Sequence, residues 1–140
     1  MAIEIEITPW EEAQAIAFPI REAVFVQEQQ VPANLELDEF DPIAWHALAK
    51  LKGADVGTAR LLPDGKIGRM AVLKPYRLQR VGSALLNALL IHGELEGIKQ
   101  FYLSAQIDAL YFYEKFGFEM YGPQFEEAGI RHIEMRLFLK

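Results

Sequence analysis

Cysteine is missing from all 140 residues. That excludes a disulfide framework, a thiolate nucleophile and a zinc–sulfur site. Long apolar runs are missing too, and no stretch reaches the length of a membrane-spanning helix. The opening M-A-I-E-I-E-I has neither a basic start nor an extended apolar segment, so no secretory signal is expected. Basic residues are in the minority, with 14 Lys and Arg against 20 Asp and Glu, for a net charge of −6. This balance argues against a general nucleic-acid binder while leaving room for a locally basic pocket. No His, Asp and Glu set has convincing metal-ligand spacing. The expectation is a cytoplasmic protein without a nucleic-acid partner, membrane association or metal site.

What remains is 51% hydrophobic, enough for one domain with a core over residues 1–140 and too little for two. Ala2–Ile7 alternates Ile3, Ile5 and Ile7 with Glu4 and Glu6, a half-buried strand. Thr8-Pro9-Trp10-Glu11 then looks like a helix start, with Thr8 as N-cap and Glu11 three residues on. Phe18-Pro19 should kink or restart that helix, and Ile20–Gln30 continues at helical spacing. Val31–Pro42 carries Glu36, Asp38, Glu39 and Asp41 without one basic residue. A solvated loop is the plain explanation of such a run and a site for a cationic substrate the functional one; composition favours the loop. Ile43–Lys52, Asp55–Leu62 and Lys66–Leu73 form an antiparallel meander, turning at Gly53 and Pro63-Asp64-Gly65.

Gly97 should cap a long apolar helix ending near Glu96. Gln100–Ala105 is a strand, Ile107–Phe116 a short helix, and Phe118–Tyr121 and Ile130–Leu139 two last strands around a loop at Gln124–Gly129. The fold class is α/β with a central mixed, mostly antiparallel sheet and helices on both faces, in the order β-α-α-β-β-β-α-β-α-β-β.

Ile67–Leu90 organises the rest. An apolar strand breaks at Lys74-Pro75-Tyr76, where proline cannot continue a ladder. Arg77, Gln79 and Arg80 follow, and Gly82, Ser83 and Ala84 open the apolar helix. Unpaired N–H groups and the positive end of the helix dipole meet there, a place for an anion such as pyrophosphate. The stretch has no G-x-x-x-x-G-K-[ST] and no dinucleotide fingerprint. A tight strand-to-helix connection is the commoner use of a turn with one glycine.

The same stretch resembles the Q/R-x-x-G-x-G/A motif of the GNAT superfamily of N-acetyltransferases. One register begins at Gln79 and is complete through Gly82 and Ala84. The other begins at Arg77, fits the V-x-P-x-Y-R context, and places Arg80 where the first glycine belongs; the second is preferred. Ala109–Phe118 resembles the family's A-x-x-F-Y-x-x-x-G-F segment. Ile20-Arg21-Glu22-Ala23-Val24-Phe25-Val26-Gln27-Glu28-Gln29 and Gly129–Met135 resemble a bacterial branch of it. Together the similarities cover nearly the whole chain.

The resemblance implies a GNAT-like fold and direct acetyl transfer from acetyl-CoA to a primary amine of a small molecule or peptide. The pantetheine arm would lie along Met70, Ala71 and Val72, with the Val72 N–H as oxyanion donor. The pyrophosphate would sit on Arg77, Leu78, Gln79, Arg80, Val81, Gly82 and Ser83. Tyr113 would protonate the departing thiolate, while Tyr111 and Phe112 are core. For the base, Glu28 and Asp38 lead a set with Glu36, Glu39 and Asp41, acting directly or through water. A structural ion pair of Glu28 with Arg21 or another cation competes with that role. His46 and His132 suit hydrogen-bonded structural roles better than base or substrate contacts, and His92 has no assigned function. A homodimer using the C-terminal R-L-F-L strand is implied by analogy. The alternative activity is a non-catalytic acyl-CoA-binding or sensing domain.

Overall fold

Strand β1 (Ile3–Thr8) alternates half-buried isoleucines with exposed glutamates, the period of two of a strand with one wet face. It pairs antiparallel with β2 (Trp45–Leu51), β2 with β3 (Ala54–Leu61), and β3 with β4 (Ile67–Val72), giving the order β1-β2-β3-β4. The computed structural model describes residues 2–36 and 38–139, without the side chains of residues 34 and 35. Residues 1 and 140 of the expected domain span, and residue 37 of the acidic stretch, lie outside the described residues. Lys52 and Gly53 join β2 to β3 with φ of 53° and 81°, the left-handed pair whose twist suits a two-residue hairpin.

Helix α1 (Trp10–Arg21) starts one residue later than its capping pattern suggests. Thr8 stays in the ladder opposite His46, and Pro9 occupies the N-cap position. The Thr8 hydroxyl donates to Glu12 rather than capping the helix, at 2.6 Å. Pro19 does not restart the helix. α1 runs through it, and Glu22–Glu28 follows directly as a π-helical segment. A wider turn absorbs the disruption that a missing N–H brings. A short helix, α2 (Ala33–Glu36), then lies inside the acidic stretch.

Helix α3 (Val81–Leu95) buries Val81, Leu85, Leu86 and Leu89 against Ala47, Ala49, Leu51, Val56 and Leu61. Leu48 points to the opposite face and meets Ala13 and Ala17 of α1. The helices therefore cover both faces of this sheet. Gly97, at φ +90°, closes α3 as expected, and Ile98 N–H bonds back to the Gly93 carbonyl. Among the described residues, no helix is long and apolar enough to cross a membrane.

The expected single sheet is divided. β5 (Gln100–Gln106), β6 (Glu119–Glu127) and β7 (Ile130–Phe138) form a second antiparallel sheet in the order β5-β7-β6. Helix α4 (Leu110–Glu114) connects β5 to β6 after one 3-10 turn, shorter than the Ile107–Phe116 span suggests. The expected loop at Gln124–Gly129 is mostly strand. The ladder slips between Tyr121 and Phe125, around Gly122 and Pro123, and then resumes. Ala128 and Gly129 make the left-handed turn into β7. β7 is the middle strand; its R-L-F-L end is paired with β5 through Phe138, whereas the β6 ladder reaches only to Arg136.

The two sheets touch where β4 begins and β5 runs parallel to it. Lys66 bridges Tyr102, and the Tyr102 N–H donates to the Gly65 carbonyl at 3.1 Å. Beyond this, among the described residues, no ladder joins the two strands. Gly65 is required at the clasp: its φ is +102°, and a Cβ there would stand 2.1 Å from the Gln100 carbonyl oxygen. Gly65→Ala is expected to cost about 2–3 kcal/mol, by left-handed strain plus overpacking against rigid backbone. Gly68→Ala, where a Cβ meets nothing within 4 Å, should stay within about 0.5 kcal/mol. Denaturant unfolding of the two variants measures the difference.

Candidate active site

The open end of β4 is built by a bulge. Thr58 pairs with Ala71 and Arg60 with Gly68, so Arg69 and Met70 face the single residue Ala59. Arg69 takes φ +49° to make this fit. On the far side of the bulge the Leu73 N–H donates to the Val56 carbonyl at 2.9 Å. Antiparallel ladders alternate, so the N–H and C=O of Val72 turn away from β3 toward the edge left open by β5. The Val72 carbonyl is held there by Arg77 Nε at 2.9 Å. Ala71 is buried, and Met70 and Val72 are half-buried.

The chain then makes one 3-10 turn, Lys74–Tyr76, and two left-handed steps. Leu78 has φ +64° and Arg80 φ +68°. Arg80 thus adopts the conformation that glycine favours, at the position where the preferred register expects glycine. It is the N-cap residue of α3 and puts no side chain on the helix. The N–H groups of Val81, Gly82 and Ser83 open the helix, where no intrahelical acceptor precedes them. The Arg80 side chain is exposed beside them, and Leu78 projects fully into solvent. Gln79 makes only a long 3.4 Å bond to the Pro75 carbonyl. Orphan donors, a helix dipole and an adjacent cation fit the anionic part of a CoA-type substrate.

Gly57 sets how close this helix comes, and nothing in the sequence pattern marks it. A Cβ on Gly57 would lie 3.0 Å from Val81 Cγ1 and 3.2 Å from the Ala71 carbonyl oxygen. Its bare backbone lets the first turn of α3 rest on β3 and β4. Gly82 faces the other way, toward Phe112 Cζ and Met70 Sδ, which a Cβ would meet at 3.5 and 3.8 Å. β4, α3 and α4 therefore converge at one point. Tyr113 stands next to it, edge-on to Phe112 with ring centroids 5.0 Å apart. Burial pushes its phenol up to about 12, so it stays protonated throughout the neutral range. Tyr111 is largely exposed, contrary to its expected core role, with Lys115 over its ring.

The carboxylates behave otherwise than expected. Glu28 ends the π-helical segment and accepts two bonds from Arg77, at 2.5 and 2.7 Å. The Arg77 bond holds its carboxyl below the usual range against a smaller effect of burial. Asp38 is further from a base. Burial raises it, but Arg60, at 2.6 and 2.8 Å, and Arg69, at 3.0 Å, outweigh burial and hold it at about 2. Glu36 and Asp41 are buried, not solvated. Arg21 bonds Asp41 at 2.8 and 3.1 Å and also pairs with Glu36; Arg60 bonds Asp41 at 2.9 Å. Three arginines and three carboxylates thus neutralise one another. Glu36, Asp38 and Asp41 are neither freely solvated nor a ready site for a cation, whereas Glu39 stays exposed.

The missed signal lies outside the acidic run, in Arg21, Arg60 and Arg69, set in otherwise apolar helix and strand segments. Buried charge needs a partner, and these three match the carboxylates of 36–41. His46 is buried and donates from Nε2 to the Asp41 carbonyl at 2.9 Å, a structural role. Burial keeps it below the ordinary histidine value against that bond, hence neutral. His132 Nδ1 lies 2.7 Å from the Ile130 carbonyl and its ring stacks on Phe125.

A family profile described as an acetyltransferase (GNAT) domain matches residues 10–139. A protein of Bacillus subtilis (strain 168) named as an acetyltransferase is 40% identical over 125 residues, 85% of each chain. Another from the same organism, named N-acetyltransferase YjcF, is 38% identical over 129 residues, 89% of this chain and 92% of that one. Among solved structures, a protein of Lactobacillus plantarum named as an N-acetyltransferase matches at TM-score 0.90 and 26% identity, over 100% of both chains. Escherichia coli ElaA matches at TM-score 0.85 and 30% identity, over 95% of this chain and 98% of that one.

The acidic stretch carries a pH signature. Asp38 titrates at about 2 in the folded chain and at about 3.9 when unfolded. A depressed folded value contributes stability that is present above the unfolded pKa and lost as pH falls through the folded one. Stability should therefore hold down to about pH 4 and decline between about pH 4 and pH 2. Asp38→Asn should lower stability at neutral pH and flatten that decline, as read from unfolding midpoints across the acid range.

Proposed function

Because the chain belongs to the GNAT family of N-acetyltransferases, we propose that it moves an acetyl group from acetyl-CoA directly to the primary amine of a small molecule or peptide. The observation that carries this reading is the convergence of Met70, Gly82 and Phe112, from β4, α3 and α4. It supports reading the outward-facing β4 edge, the α3 N-terminus and Tyr113, next to Phe112 in the chain, as parts of one site.

In this reading Met70, Ala71 and Val72 present a strand edge to the pantetheine amides. The first-turn N–H groups of Val81, Gly82 and Ser83, with the Arg80 guanidinium, hold the pyrophosphate. The amine lone pair attacks the thioester carbonyl carbon, and the outward Val72 N–H donates to the oxyanion. The C–S bond then breaks, and the Tyr113 hydroxyl gives its proton to the sulfur and is reprotonated from solvent. Glu28 and Asp38 are engaged by arginines and held below the carboxylate range. The amine's proton therefore goes to water rather than to either of them.

Tyr113→Phe should lower kcat by about 100-fold or more and leave CoA affinity unchanged, measured by thiol release with a panel of amines. Activity should rise with pH through the acceptor's own ionisation, without a step in the carboxylate range. Absence of turnover with every amine, despite CoA binding, would point to an acyl-CoA-sensing domain instead. Arg80→Gly separates strain from binding. It should raise folding stability by up to about 1 kcal/mol, by relieving a left-handed arginine. It should also weaken CoA binding and make that binding less salt-sensitive. Thermal unfolding and titration calorimetry report the two effects independently.

A further inference from the structure

Arg77 is held inside the site where the cofactor's anionic part is proposed to bind. Its Nε donates to the Val72 carbonyl at 2.9 Å, and its two terminal nitrogens donate to Glu28 at 2.5 and 2.7 Å. One guanidinium therefore joins the end of the π-helical segment to the end of β4. The Glu28–Arg77 pair is about one-third exposed, at 35% and 37%, so it opens without unfolding its surroundings. Lys74 is a second cation acting on the Glu28 carboxylate, and it remains when Arg77 leaves.

Both contacts of Arg77 are ones a CoA molecule would contest. The Val72 carbonyl is the acceptor on the open β4 edge, where an amide N–H of the pantetheine arm would donate. A phosphate oxyanion at the first turn of α3 offers the same bidentate geometry as the Glu28 carboxylate, with more charge. Arg77 belongs to the turn proposed to take the pyrophosphate, so Glu28 and the phosphate are rival anions for one guanidinium.

We propose that Glu28 is an internal competitor of the cofactor. In the free protein it holds Arg77 across the β4 edge; when CoA binds, Arg77 leaves Glu28 and Val72 and turns to the phosphates. When product CoA departs, the pair closes again and resists rebinding. Glu28 then sets cofactor affinity and release rather than taking the amine's proton. This inference rests on the reading that the Arg77–Ser83 turn takes the pyrophosphate.

The test is CoA binding to the wild-type chain, Glu28→Gln, Arg77→Ala and the double variant. Glu28→Gln should bind CoA about 2- to 5-fold more tightly, the scale of one exposed ion pair, and with a steeper salt dependence. Arg77→Ala should weaken binding, and in that background Glu28→Gln should change nothing. Wild-type CoA binding with unchanged or weaker affinity in Glu28→Gln would overturn the competition. So would an unchanged affinity accompanied by a loss of kcat, which would make Glu28 the base. If neither protein binds CoA, the cofactor reading fails and the competition with it.

Discussion

Beyond the contact of Lys66 and Gly65 with Tyr102, β4 and β5 run apart, and the site depends on that divergence. Were the ladder continued, the Val72 N–H and C=O would be consumed by pairing with β5. Because it stops, they face an edge with room for another chain-like molecule. The clasp at Gly65 keeps the two sheets together at one end, and α3 keeps them together along the middle by burying its leucines against both. At the far end Gln106 donates to Gln29 at 3.0 Å, tying β5 to the end of the π-helical segment. The first turn of α3 lies beside the β4 edge that is left without a ladder partner.

The second constraint is the ionic cluster of Arg21, Arg60 and Arg69 with Glu36, Asp38 and Asp41. Buried ion pairs add little net stability over apolar packing, but leaving one partner uncompensated is costly. Their effect here is placement. They tie Glu36, Asp38 and Asp41 to α1, β3 and the bulge of β4. They also settle an electrostatic question. Glu36, Asp38 and Asp41, in an acidic run that seems a receptor for cations, are paired with arginines, and Asp38 and Asp41 are held below the ordinary aspartate value.

Much of the fold was legible because periodicity and turn chemistry act locally. β1 shows its alternation, the β2–β3 hairpin its Lys52-Gly53 turn, and α3 its apolar face and Gly97 stop. The errors came where the deciding partner is distant. Pro19 suggests a break, but the chain absorbs it in a π-helical segment. Gln124–Gly129 suggests a loop, but the ladder with β7 slips around Gly122 and Pro123 and resumes at Phe125. The acidic run seems solvated because its cations lie in other elements. Gly57 is one glycine among ten until Val81 is seen against it.

The sequence by itself determined the family, the mixed α/β class with most of its strands and helices, and the cation-rich turn. Those features are written in short stretches, where neighbouring residues set backbone geometry and chemistry. Only the tertiary structure decided which charges are available. Arg80 is exposed beside open N–H groups, whereas Arg77 is held by Glu28 and Val72. Asp38 is locked by two arginines from β3 and β4, and Tyr113 is kept protonated by burial. Burial and charge pairing depend on distance in space, and residues 28 and 77, or 38, 60 and 69, are neighbours only after folding.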